Sequence, residues 1–206
     1  MSEQHSSEIH RYCAILEELK LRLRTVQLLS RNNYSSGADY FVDEAIFLHL
    51  RKSLELLAFA SMTGHFDAYS TAYSRYQTDW NAKRIIKDLE KIHPHFYPTP
   101  LRLIAPPPGH PLASAVHLEN IQSGFLTKED FITLYDLTSK AIHSPNPFSK
   151  ENAAINLQRP VNEWVDRILL LLRFHHIVLA ESPIGWLIHL EHPEHGRAYA
   201  QQSLAL

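Results

Sequence analysis

The chain of 206 residues is short of several things, and each shortage narrows its chemistry. Its one cysteine, Cys13, leaves no partner for a disulfide within the chain. A reducing, cytoplasmic address is the expectation. There is no long hydrophobic run: the longest purely aliphatic stretch is Ile168 to Leu172, and Arg173, His175 and His176 interrupt the residues just after it. A transmembrane helix needs about 20 apolar residues, so no membrane span is expected. The opening MSEQHSSEIHRYCA is polar and lacks the apolar core of a signal peptide. Charge of one sign is also missing. Twenty Lys and Arg face 22 Asp and Glu, a net charge of −2, so a nucleic-acid site would have to be a local patch. No internal repeat or low-complexity tract is present. No P-loop, dinucleotide loop, GxSxG elbow or catalytic-cysteine signature occurs, and no cofactor is expected.

What the chain does have is apolar residues in helical order. At 45% hydrophobic it can bury a core. Ile9, Tyr12, Cys13, Leu16, Leu19, Leu23 and Val26 recur every three to four residues, which predicts a helix from about Ser7 to Ser30. A second helix is predicted from Asp39 to Thr63, stopped by Gly64. It is apolar on more than one face, as expected for the centre of a bundle or an oligomer interface. Tyr69, Tyr73, Tyr76 and Trp80 come next at helical spacing and read as aromatic core, and a further helix is expected over Trp80 to Ile92. Thr127 should cap a helix that buries Phe131, Leu134, Tyr135, Thr138 and Ile142. A last helix runs through RPVNEWVDRILLLLRF, with Pro160 in its first turn.

Between these helices, His93 to Gly124 holds seven of the twelve prolines. Proline removes backbone donors, so this segment reads as a long non-helical arm. The tail changes period: strands are expected near His175–Glu181 and Trp186–Glu191 around a Pro/Gly turn, with RAYAQQSL as a third. The predicted fold is therefore mainly α. A helical bundle occupies residues 1–173 with an arm at about 93–124, and a small antiparallel β-element at 174–206 packs on it.

The stretch LYDLTSKAIHSPNPF, Leu134 to Phe148, carries the most specific pattern. Tyr135, Ser139 and His143 stand at four-residue intervals on one helix, before Pro145 and Pro147 end it. With two long N-terminal helices before it and a closing helix after it, this resembles the HEPN superfamily of helical-bundle proteins found in prokaryotic toxin–antitoxin and anti-phage systems. The resemblance implies an RNA-binding bundle, often a metal-independent endoribonuclease, that works as a homodimer beside an antitoxin or other protein partner. It also implies an arginine shortly before the motif histidine. Here those positions are Asp136, Leu137 and Thr138, and Lys140 is the nearest cation.

The chemistry explains why this departure matters. Cleavage through the RNA 2′-hydroxyl needs a proton carrier near neutrality, which His143 could be. It also needs a cation on the phosphorane, a task that suits arginine better than lysine. Arg51, one turn before Glu55 on the second helix, could replace the missing arginine in space; the plainer alternative is a solvated charge stripe with Lys52. His143 equally suits a helix C-terminus, where a cation is favoured. The implied catalytic set is thus His143, Lys140, Ser139, Tyr135 and Arg51.

Two further features invite a ligand. Lys83, Arg84, Lys87 and Lys91 form a basic stripe leading into His93, His95, Phe96 and Tyr97, a pattern that can track an RNA backbone or be an ordinary solvated face. The chain also has fourteen histidines, including His189, His192 and His195 beside Glu191 and Glu194. Zinc needs three or four ligands converging at about 2.0–2.3 Å, and these spacings fit no zinc signature, so no metal is expected. Three function classes follow: an RNA-binding or RNA-cleaving protein, a catalytically silent interaction module, and, third, a metal-dependent enzyme using the histidines.

Overall fold

A computed structural model describes residues 3–31, 39–105, 117–141, 156–178 and 184–204. Helix α1 (Glu3–Arg31) buries Tyr12, Leu16, Leu19, Leu23 and Val26 along one line, as the periodicity predicts. Helix α2 (Asp39–Gly64) runs antiparallel to it, since Gly64 at its end lies against the Tyr12 ring near the start of α1. The remaining helices are α3 (Phe66–Ala72), α4 (Ala82–Ile92), α5 (Lys128–Ala141) and α6 (Val161–Leu172). α2 packs against α1, α4 and α5, which accounts for its several apolar faces. Among the described residues, no helix is long and apolar enough to cross a membrane.

Local signals start the helices. The Thr127 hydroxyl accepts from the Asp130 amide at 3.1 Å and opens α5. Asn81 accepts from the Arg84 amide at 3.0 Å and opens α4, two residues later than the Trp80 start expected. The aromatic run does not form one helix. α3 ends at Ala72 and the chain turns around Asp79, so Tyr69 is fully buried while Trp80 is 65% exposed. The Asp79 carboxylate, closed off from solvent, accepts from the Tyr69 hydroxyl at 3.0 Å, Arg84 Nε at 3.1 Å and Arg75 Nε at 3.3 Å. A charge buried so deeply needs all these partners, and meeting them overrides the helical spacing of the aromatics.

The strands are β1 (Thr99–Ile104), β2 (His117–Asn120), β3 (Phe174–Val178), β4 (Ile184–His189) and β5 (Tyr199–Leu204). They form one antiparallel sheet in the order β2-β1-β3-β4-β5. The expected tail hairpin is present, with Phe174 opposite His189 and Val178 opposite Gly185, and β5 adds the third strand. The β-element is not confined to the tail, however. The proline-rich segment supplies β1 and β2, so it also contributes strands to the sheet. Proline is tolerated at the beginning of a strand, where its extended φ fits and a donor is dispensable. Pro100 sits there: β1 pairs with β3 only at Thr99 and Pro100 and then turns to β2 from Leu101 onward.

The sheet is pinned to the helices by buried polar contacts. The Tyr12 hydroxyl meets His175 Nε2 at 2.9 Å, and His175 Nδ1 donates to the Leu172 carbonyl at 3.0 Å. Ile177 lies against Gly64 at the end of α2. The core thus lies between α1, α2 and the inner helices, with β3 and β4 closing one end.

Candidate functional site

Tyr135 and Ser139 lie one turn apart on α5, and α2 brings Arg51 to both. The Arg51 Nη2 donates to the Tyr135 hydroxyl at 2.8 Å. Its Nη1 donates to the Ser139 hydroxyl and to the Tyr135 carbonyl at 3.4 Å. Its Nε pairs with Glu55 Oε1 at 3.2 Å, and Lys52 Nζ donates to Glu55 Oε2 at 2.8 Å. The Arg51 guanidinium carbon stands 4.1 Å from the Tyr135 ring centroid. Arg51 is 8% exposed and Glu55 9%, so this is a buried ionic cluster rather than a solvated stripe. Lys52 alone of the three is open to water.

Electrostatically, Glu55 balances Arg51, and Lys52 leaves one surplus positive charge at the rim. Burial raises the Tyr135 phenol above its ordinary value, with the Arg51 guanidinium pulling it back. The phenol therefore stays protonated at neutral pH and serves as a hydrogen-bonding post. Thr138, the other buried polar residue on this face, returns its hydroxyl to the Leu134 carbonyl at 2.8 Å. Most of the guanidinium N–H directions are thus engaged within the protein. A phosphate would have to displace the Ser139 or Tyr135 contacts to reach Arg51.

Of the implied catalytic set, α2 and α5 bring together Arg51, Tyr135 and Ser139. Lys140 is exposed on α5 and joins none of these contacts. His143 lies outside the described residues, as does Ile142.

The basic stripe on α4 is largely neutralised. Lys83 pairs with Asp136 of α5, Arg84 with Asp79, and Lys91 with Asp88 at 3.0 Å. Lys87 alone among the four has no ion-pair partner within the described residues. The patch that reads as cationic in sequence is a set of ion pairs, because Asp136 and Asp79 arrive from outside the helix.

Several of the described histidines are buried or stacked on other rings. His65 is 4% exposed, edge-on to His93 with ring centroids 5.3 Å apart, and neither ring nitrogen has a hydrogen-bond partner among the described residues. Burial, with the neighbouring His93, lowers its pKa to about 4. Burial likewise lowers His175 to about 4 despite its bond to the Leu172 carbonyl. His189 is stacked between Phe174 and Tyr199, and His192 lies on His195 with centroids 4.0 Å apart. No group of three or more His, Cys, Asp and Glu among the described residues is arranged to hold a metal.

One buried cation is not among the residues that the sequence patterns single out. Lys20 lies on the core side of α1, four residues after Leu16 and three before Leu23, and is 5% exposed. It donates to the Gly196 carbonyl at 2.7 Å and pairs with Glu17 at 2.9 Å. Its position on the apolar line was a usable signal, since a lysine there requires a partner. The partner's identity, 176 residues away in sequence, was not legible. No family model, curated protein or solved structure matches this chain.

Proposed function

We propose that this chain is a HEPN-like helical interaction module that pairs with a second copy of itself through the outer face of α1 and α2, without RNA-cleaving activity. The observation that carries this reading is an exposed apolar stripe on the hairpin. Leu21 and Leu28 are 62% exposed on α1, and Phe41 and Leu48 are 69% and 45% exposed on α2. Each pair is seven residues apart, so each lies along one line of its helix. The antiparallel run sets Leu21 at about the height of Leu48 along the hairpin, and Leu28 at about the height of Phe41. Large apolar side chains left exposed in lines on a monomer mark a candidate interaction surface. An antiparallel helix pair can pack isologously on its own copy. The committed donors of Arg51 and the paired cations of α4 support the non-catalytic side of the reading.

Light scattering at tens of micromolar should give twice the chain mass. Leu28→Glu with Phe41→Glu should halve that mass and leave the helical signal intact, because both side chains are already in water in the single chain. A monomeric wild type at that concentration would rule out self-association.

A second reading, a metal-independent endoribonuclease of a defence or toxin–antitoxin system, draws support from one contact. Arg51 touches both Tyr135 and Ser139, where the motif's own turn supplies no arginine. On that reading RNA incubated with the protein in EDTA is cut to 2′,3′-cyclic ends, and His143→Ala abolishes cutting. The interaction-module reading predicts no cutting by wild type.

A further inference from the structure

A cavity of about 380 Å³ lies between α1, the end of α6 and the chain just past β4. Leu23, Leu169 and Leu190 supply its apolar surface. Lys20, Arg24 and Arg173 bring three cations to its walls against one acid, Glu191, and Gln27 adds a neutral amide. Two of those cations are compensated. Lys20 pairs with Glu17, and Arg24 meets Glu191 at 3.0 Å. Arg173 is exposed and its side chain has no partner among the described residues. Its backbone is nonetheless held on both sides, the amide donating to the Leu169 carbonyl at 2.7 Å and the carbonyl accepting from the Leu190 amide at 3.0 Å. The free guanidinium is therefore mounted on a rigid junction between α6 and β3, beside a hollow whose mostly polar wall includes three leucines.

We propose that this cavity binds a small organic oxyanion, a carboxylate or phosphate monoester on an apolar stem. Arg173 receives the charged group and the three leucines receive the stem. The volume sits at the small end of the roughly 300–1,000 Å³ typical of ligand pockets, and polar groups make up the larger part of the lining. Guanidinium matches both oxyanions through paired hydrogen bonds. The single charge of a carboxylate balances the one uncompensated cation, and the charge of about −1.5 to −2 on a phosphate monoester at pH 7 exceeds it. Lys20, fixed by Gly196 and Glu17, shapes the wall and adds to the positive field. The site lies on α1, α6 and the sheet, so it is separate from the α2–α5 cluster and does not depend on either reading of it.

The test uses phenylacetate and phenyl phosphate as probes, phenethyl alcohol as the uncharged counterpart and inorganic phosphate as a headgroup alone. Methyl resonances of Leu23, Leu169 and Leu190 report occupancy in the full chain. At least one aryl anion should shift them saturably with a Kd of about 1 mM or tighter. Arg173→Gln should weaken that binding about tenfold or more, the scale of one charge-assisted contact, without moving the melting temperature. A response to phenyl phosphate alone assigns the phosphate source, and a response to phenylacetate alone assigns the carboxylate. The proposal is overturned by equal binding of the alcohol, by equal binding of inorganic phosphate (an adventitious ion only), or by the absence of any saturable shift.

Discussion

Arg51 shows how a single side chain can hold two helices together while looking like catalytic equipment. Its guanidinium ties α2 to Tyr135 and Ser139 of α5, and Glu55 balances its charge. Arg51→Ala should cost about 3 kcal/mol in urea denaturation, the lower end for breaking a buried pair, because Lys52 still neutralises Glu55. Tyr135→Phe should cost about 1 kcal/mol, one hydrogen bond. A loss for Arg51→Ala no larger than for Tyr135→Phe would mean that the cluster contributes little to the fold. Gly185 is a second decisive position. A β-carbon there would collide with the imidazole of His176 on the neighbouring strand and crowd the Ser203 hydroxyl. Gly185→Ala should therefore destabilise by about 1–3 kcal/mol, the cost of overpacking. Unchanged thermal stability would show that the His176 ring can swing aside.

The helices and the sheet depend on sequence in different ways. α5 starts where Thr127 caps it, and Thr127→Ala should lower stability by about 1 kcal/mol while Thr127→Ser preserves it. Equal losses in both variants, read by thermal unfolding, would remove the cap from the explanation. Capping and three-to-four periodicity are local, so α1, α2, α5 and α6 could be placed from residues within a few turns of one another. β1 and β2 could not. Their segment reads as proline-rich coil because nothing near Pro98 or Pro100 signals that β3, far later in the chain, supplies the neighbouring strand. The short α3 was hidden for a related reason: Asp79 gathers Tyr69, Arg75 and Arg84 around itself, and that network ends the helix before Tyr73.

Across the molecule, neutral histidines are built into the packing. His65 and His175 titrate near 4 in the folded chain against 6.5 when unfolded, in both cases chiefly through burial. Between those values the unfolded chain binds more protons than the folded one. Stability therefore is complete above pH 6.5, declines as pH falls, and has lost this contribution near pH 4. The loss is on the order of 3 kcal/mol for each histidine, a large part of a typical domain's stability. Melting temperature should drop steeply from pH 6.5 to 4. His65→Leu should flatten that drop and leave neutral-pH stability equal or higher, since neither ring nitrogen of His65 has a partner among the described residues to lose. A pH profile identical to wild type would remove His65 from this account.

The amino-acid order by itself determined the mainly helical class, the tail hairpin and the two helices that carry Arg51, Tyr135 and Ser139. These rest on spacing and on caps, which act within one or two turns. Charge state was decided elsewhere. In the sequence Lys83, Arg84 and Lys91 form a cationic stripe, and Arg51 has two candidate surroundings, a solvated face or a buried cluster. In the folded chain each has an acid beside it, and one of these, Asp136, comes from a different helix. The cavity at Arg173 is wholly a product of tertiary structure, because its walls are gathered from α1, α6 and the end of β4. Local backbone preferences act between near neighbours in the chain, whereas burial, ion pairing and cavity shape depend on which distant segments meet, and only the packed fold brings those together.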